Sequence, residues 1–394
     1  MRLKYITRPV LVLSAVSLFT DMASEMLYPV MPVYLESIGF SILLIGVLEG
    51  VAETTAGLSK GYFGQVSDLT QKRLPFVRLG YLLSAVSKPM MAAFTYPLWI
   101  FFARTTDRFG KGLRTGARDA MLSDASTRET KARIFGFHRG MDTLGAVLGP
   151  MIALIYLYFF PGQFTALFLI AFAPGIISVA LLFLLKEKKT IEPPQKKPGL
   201  LEFLKYVRHA DPAYKKLLGG LLLFALFNST DILLLLKMKQ SGMEDTLVIG
   251  IYIFYNLVYA IFSFPAGILA DKIGIKTTFI AGLFIYALVY FGFAFLNVPG
   301  IFWILFFLYG VYAAATEGIS KAWISLVAPK QETATALGAY GALNSICAFV
   351  ASSLAGLIWF TVNAEWAFGL TAVVSVIVIL YFIKLRPPQQ FAST

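Results

Sequence analysis

In 394 residues there is one cysteine, Cys347, and there are two histidines, His138 and His209. A single thiol excludes an internal disulfide and leaves no thiol pair for a redox or structural metal centre. There is no G-x-x-x-x-G-K-[ST] phosphate loop of the kind a nucleotide-driven pump needs, and no H-E-x-x-H. The stretch GKGLRTG has glycine and lysine but lies inside a helical pattern without the loop's spacing. No enzyme chemistry, no cofactor and no metal is therefore expected. Charge is scarce as well: Asp, Glu, Lys and Arg make up 14% of the chain and apolar residues 58%, with mean hydropathy +0.72. Soluble domains carry about 25% charge, so this chain is expected to have lipid as its solvent. Its net charge of +12 is concentrated in loops, which fits orientation in a membrane and not nucleic-acid binding.

Segments of about 20 residues or more, enough to cross a bilayer, sit near 8–35, 41–66, 74–95, 97–123, 131–159 and 163–185. Six more follow near 214–237, 246–270, 277–296, 300–327, 333–361 and 365–385. The amino-terminal basic head and apolar run mimic a signal peptide, but the run continues past Asp21 to Leu35, too long for a cleaved segment. The expected fold is an all-α membrane protein of about 12 transmembrane helices in two pseudo-symmetric six-helix bundles, residues 1–185 and 214–394. Residues 186–213 form a charged, proline-bearing linker with one short amphipathic helix in LLEFLKYV, where His209 is a solvated surface residue. Arg2, Lys4, Arg8, Lys72, Arg73, Arg128, Lys131, Arg133 and the linker's basic residues all fall on one side, against Lys237 and Lys239 on the other. Excess Lys and Arg mark the cytosolic face, so both termini and the linker are expected there.

The two halves repeat at an offset of about 203 residues: GQVSDLTQKR pairs with GILADKIGIK, matching Gly64 to Gly267 and Asp68 to Asp271. IFGFHRGMDTLGA likewise aligns with ALGAYGALNSICA, matching Gly136 to Gly338 and Asp142 to Asn344. Such repeats place binding sites near the membrane midplane. Within the fourth span, Arg104, Asp107, Arg108, Lys111, Arg114, Arg118 and Asp119 fall in an arc of roughly 140°. A charge at mid-bilayer costs roughly 2.5–3.5 kcal/mol on insertion scales, so this face must line water or meet counter-charges. Candidate counter-charges are Asp21 and Glu25 in the first span, Glu49 and Glu53 in the second, and Asp142, beside His138 and Arg139, in the fifth.

The pattern G-x-x-x-D-[RK]-x-G-x-[RK], complete in GILADKIGIK and degraded in GQVSDLTQKR by Leu69 and Gln71, resembles the signature of the major facilitator superfamily. R-x-x-K-G from Arg108 to Gly112 resembles that superfamily's R-x-x-Q-G motif. Gly136, Gly145, Gly149 and Pro150, spaced G-x8-G-x3-G-P, look like its antiporter motif, although the usual closing glycines are Ala153 and Leu154. TDMASEMLYP, EGVAE, DRFGKGLRTGARDA and GFHRGMDTLGA are similar to a prokaryotic subgroup of the superfamily without an assigned substrate. The resemblance implies a multi-pass secondary active transporter of the inner membrane, a monomer in the lipid bilayer, that handles a small molecule and protons through a central alternating-access cavity.

Asp21, Glu25 and Asp142 are the expected proton-coupling residues. A carboxylate out of water favours its neutral form and one beside an arginine its charged form, so an acid whose cation moves between states carries a proton. Glu53, Arg104, Asp107, Arg108, Lys111, Arg114, His138, Arg139 and Asp231 are expected to line the substrate cavity. Asp68, Arg118, Asp271, Glu317 and Lys321 are expected to form the conformational gate, with Glu317 and Lys321 acting against the fourth helix. The glycines of the fifth span are expected to pack on the opposite bundle. Two readings of direction follow: a proton-coupled exporter, from the antiporter-like motif and the buried acids, or an importer of an anionic metabolite or metal chelate, from the arginines. A membrane-embedded sensor is a third class, for which the linker is too short to hold a signalling domain.

Overall fold

A computed structural model describes residues 6–187, 198–296 and 298–385. Arg2 and Lys4, and residues 188–197 of the linker, lie outside the described residues. The first half contains α1 (Arg8–Glu25), α2 (Met31–Ser37), α3 (Ile42–Thr70), α4 (Leu74–Ala93), α5 (Pro97–Asp124), α6 (Lys131–Phe159) and α7 (Phe164–Leu181). The linker helix is α8 (Phe203–His209). The second half contains α9 (Pro212–Ala225), α10 (Asp231–Gln240), α11 (Asp245–Ile273), α12 (Ile275–Phe295), α13 (Pro299–Val327), α14 (Thr333–Thr361) and α15 (Ala364–Lys384). Among the described residues there is no strand, and the helices make the twelve spans expected. Proline stands in the first turn of α1, α4, α5, α9 and α13, where its missing N–H leaves no helical bond unmade.

Seven helices among the described residues are long and apolar enough to cross a membrane by themselves. Their outward faces carry rows of large apolar residues at helical spacing. On α12 these are Phe284, Leu288, Phe291 and Phe295, all exposed, as lipid contact requires.

The first span of each half is broken, a correction to the continuous segments 8–35 and 214–237. Between α1 and α2, Pro29 removes an amide donor and its ring clashes with the preceding turn. Between α9 and α10 there is no proline. Asn228, Ser229 and Thr230 instead offer side-chain bonds that compete with the helix, and Thr230 N donates to Ser352 Oγ at 3.1 Å. Each break has a carboxylate at its edge: Glu25 is the last residue of α1, and Asp231 the first of α10.

By contact density the chain divides into two compact units. One holds residues 1–127, 141–207 and 329–342; the other holds 128–140, 208–328 and 343–394. Each unit is thus one half of the chain plus the opening turns of a helix that continues in the other. In the first unit the start of α14 packs on α3 so closely that a Cβ on Gly64 would lie 2.4 Å from the Ala334 carbonyl oxygen. In the second, a Cβ on Gly136 of α6 would lie 2.4 Å from the Ser263 carbonyl oxygen of α11, and one on Gly267 would lie 2.6 Å from that of Ala132. Only glycine permits such approach. The paired repeat glycines thus build the same helix contact twice.

The degraded repeat also shows at α3's end. Gln71 has φ 51°, the left-handed region, at the place where α11 ends on Gly274 with φ +101°. The Gln71 side chain partly compensates by donating from Nε2 to the Asp68 carbonyl at 2.6 Å. A non-glycine residue in this region costs about 1–2 kcal/mol, against about 0.5–1 kcal/mol for a glycine's extra unfolded freedom. Gln71→Gly is therefore expected to hold or modestly raise the melting temperature in detergent; a clear fall would show that the side-chain bond matters more than the strain.

Candidate functional site

The charged face of α5 is buried in the first unit, with Arg104, Asp107, Arg114, Arg118 and Asp119 each under 8% exposed. Two arginines one turn apart meet two glutamates one turn apart on α3. Arg104 is bidentate to Glu49, at 2.8 Å from Nε and 3.0 Å from Nη2, and Arg108 reaches Glu53 at 3.2 Å. On the opposite flank Asp107 accepts from Lys88 of α4 at 2.7 Å, and Lys88 also reaches Ser24 Oγ at 3.2 Å. Gly80 and Gly110 bring α4 and α5 together at this level. Arg114 consequently bonds Ser84 and lies 4.4 Å over the Tyr81 ring. Arg104, Asp107 and Arg108 are thereby neutralised by named partners, as low-dielectric burial demands.

A second layer lies on α1 and α6. Glu25 is within electrostatic reach of Lys111, Arg108, Arg104 and Asp142, while Lys111 itself is exposed. Asp142 accepts from Ser17, which in turn accepts from Arg118 Nη1 at 3.3 Å; Arg118 also holds Asp119 at 2.9 and 3.0 Å. Asp142 and Arg118 are thus joined through one hydroxyl. A Cβ on Gly145 would lie 2.3 Å from the Leu18 carbonyl oxygen and 3.1 Å from Asp21 Cβ. One on Gly149 would lie 2.6 Å from the Met22 carbonyl oxygen. Gly136 and Gly140 approach α11, whereas Gly145 and Gly149 clamp α6 to α1 at the level of Asp21 and Glu25. Pro150 follows inside α6 without ending it.

In the second unit Arg139 bonds both Glu317 and the Tyr259 hydroxyl. His138 is buried and Lys321 half-buried. Asp231 accepts from Tyr309 OH at 2.6 Å, within a group of tyrosines from α11, α12 and α13.

At the helix ends, Asp68 caps α14. It accepts from Thr335 N at 2.6 Å and Thr335 Oγ1 at 2.8 Å and holds Arg73 at 3.3 Å; Arg73 also reaches Asp124 at 3.3 Å. Asp271 does the same for α6, accepting from Ala132 N at 2.9 Å, Arg133 N at 3.1 Å and Arg133 Nε at 2.6 Å. Each repeat's acid accepts from first-turn amides and faces the positive end of a helix begun in the other half.

The profile described as the Major Facilitator Superfamily matches residues 13–255 and 233–393. The chain belongs to the major facilitator superfamily. This transporter is 31% identical over 386 residues to MJ1317 of Methanocaldococcus jannaschii, an uncharacterized MFS-type transporter, covering 96% of this chain and 95% of that protein. Over 124 residues it is 26% identical to the quinolone resistance protein NorA of Staphylococcus aureus, covering 32% of each. Among solved structures the human organic anion transporter MFSD10 aligns with TM-score 0.81 at 16% identity, over 95% of this chain and 99% of that one. The fucose:proton symporter FucP of E. coli aligns with TM-score 0.76 at 10% identity, over 98% and 100%. At these identities the structural likeness concerns the fold.

Two features of this transporter escape the sequence reading. Lys88 was open to it, since an ionisable residue inside an apolar span is a functional candidate by default. The tyrosines carried a signal too: Tyr252, Tyr255 and Tyr259, then Tyr286 and Tyr290, then Tyr309 and Tyr312 are spaced by three or four residues, which puts each set on one helix face.

Proposed function

We propose that this transporter is a proton-coupled exporter, an antiporter that exchanges protons for a small molecule by alternating access in the inner membrane of a prokaryote. Both termini and the linker are cytosolic, it acts as a monomer in the lipid bilayer, and residues 1–185 and 214–394 are its two rocking halves. The observation that carries the reading is the position of Glu25. It ends a broken helix, follows Asp21 by one turn, and lies within electrostatic reach of Lys111, Arg108, Arg104 and Asp142. An acid whose stability depends on cations mounted on another helix changes its proton occupancy when those helices shift. A substrate whose binding displaces the proton from the acid exchanges one for the other. Arg118, Asp68, Asp271, Glu317 and Lys321 act as gates.

The reading as importer of an anion draws on the same arginines, but Glu49 and Glu53 already occupy Arg104 and Arg108. Asp21→Asn and Glu25→Gln are expected to abolish pH-gradient-driven accumulation in inverted vesicles while gradient-free counterflow of a library hit remains measurable. Full uphill transport by both variants would make these acids structural and move the test to Asp142.

A further inference from the structure

The second unit contains an acid that the charge pairing leaves over. Among the described residues no lysine or arginine lies within ion-pair distance of Asp231; its hydrogen-bond donor is the Tyr309 hydroxyl at 2.6 Å, and the Tyr255 ring lies beside that of Tyr309. Arg139, the basic residue that acts on it electrostatically, is committed to Glu317 and Tyr259. Lys321 is twelve residues beyond Tyr309 on α13, about 18 Å along the helix axis. A carboxylate so placed has no cation of its own, and hydroxyl donors orient it without supplying one, so a cationic ligand would be the partner that holds it in its charged form.

The surroundings are aromatic. Tyr255 and Tyr309 have ring centroids 5.0 Å apart, Tyr309 and Tyr312 5.3 Å, and Tyr286 and Tyr312 4.5 Å. Tyr286 OH donates to Asn228 Oδ1 at 3.1 Å, and Asn228 Nδ2 donates to Tyr312 OH at 3.2 Å. The rings are therefore fixed by a hydroxyl network anchored in the break between α9 and α10. The tyrosines are buried, whereas Asp231, Asn228 and Tyr252 are half-exposed, so the carboxylate stands at the open edge of an aromatic wall. The break's own polar groups are largely used: Tyr286 OH takes the Phe227 carbonyl at 3.4 Å and Ser352 Oγ takes the Thr230 amide.

A fixed anion beside electron-rich ring faces attracts a cation twice, through the carboxylate and through the ring quadrupoles, and repels an anion twice. A neutral polar solute would gain only hydrogen bonds from groups that already have partners. We propose that Asp231 with Tyr255, Tyr309 and Tyr252 recognises an organic cation, a quaternary or protonated onium group on an aromatic or apolar body, as the substrate class of this transporter. This rests on the exporter reading for its role in transport but not for the binding itself.

The test is equilibrium binding to the purified full chain in detergent, with two probes of the same size and shape and opposite charge, tetraphenylphosphonium and tetraphenylborate. The phosphonium is expected to bind at least about tenfold more tightly than the borate. Asp231→Asn should weaken the phosphonium by about tenfold and leave the borate unchanged or tighter, Asp231→Glu should restore binding to within about threefold, and Tyr309→Phe should cost a few-fold. Equal binding of both probes to the wild-type chain, or phosphonium binding unaffected by Asp231→Asn, overturns the proposal. If Asp231→Asn does not fold, the wild-type charge preference and Tyr309→Phe decide. Asp231-dependent binding without proton-driven transport would sink the exporter reading alone, and proton-driven transport of a non-cationic compound would sink this inference alone.

Discussion

Asp68→Asn is expected to cut turnover by about tenfold or more while substrate affinity in detergent changes by less than about twofold. The carboxylate accepts two bonds from Thr335, at 2.6 and 2.8 Å, and holds Arg73 at 3.3 Å, all within one compact unit that joins α3 to the opening turns of α14. Hydrogen bonds to a charged group contribute about 1.5–3 kcal/mol, and the amide retains the acceptor but loses the charge. Loss of about 1.4 kcal/mol from one state of a two-state cycle shifts its population tenfold. The effect falls on cycling because Asp68 lies in the last turn of α3, away from the charges in the middle of α5. Asp271→Asn should act alike through Ala132 and Arg133. Collapse of affinity with normal turnover would assign these acids to substrate contact.

Lys88→Met should be the most damaging single change. Lys88 is 1% exposed, and its ammonium is the nearest partner of Asp107, itself 5% exposed. Breaking a buried pair from one side costs about 3–5 kcal/mol, because the remaining charge is stranded. Arg104, at 3.6 Å from Asp107, recovers only part of it. The expected result is loss of monodisperse protein, with the double replacement Lys88→Met and Asp107→Leu folding again, since apolar isosteres of a buried pair are often neutral. A single Lys88→Met variant with wild-type melting behaviour would show that Arg104 suffices.

Much of this is legible in the amino-acid sequence. Apolar run length placed the unbroken spans to within a few residues but missed the breaks in the first span of each half, and α5 buries most of the face that its charge spacing marked. The repeat glycines Gly64, Gly267, Gly136 and Gly338 could be paired by offset, and the structure shows the contacts they permit. What periodicity could not supply was partner identity. Whether Arg108 meets Glu53 or Glu25 depends on helix rotation and rise, which no single helix encodes, and the direct partner proved to be Glu53. The break before Asp231 was hidden because Asn228, Ser229 and Thr230 interrupt a helix less visibly than proline does. The side of α6 that Gly145 and Gly149 present was likewise beyond a spacing argument, since glycines pack equally well against either neighbour.

The most direct measurement follows protons and substrate together. Proteoliposomes loaded with a pH-sensitive dye, with no imposed gradient, are given an outward-to-inward gradient of a compound that shows counterflow. The account predicts proton movement opposite to the compound, abolished by Glu25→Gln while compound exchange persists. Proton movement in the same direction as the compound, or none with the wild-type chain, would contradict it.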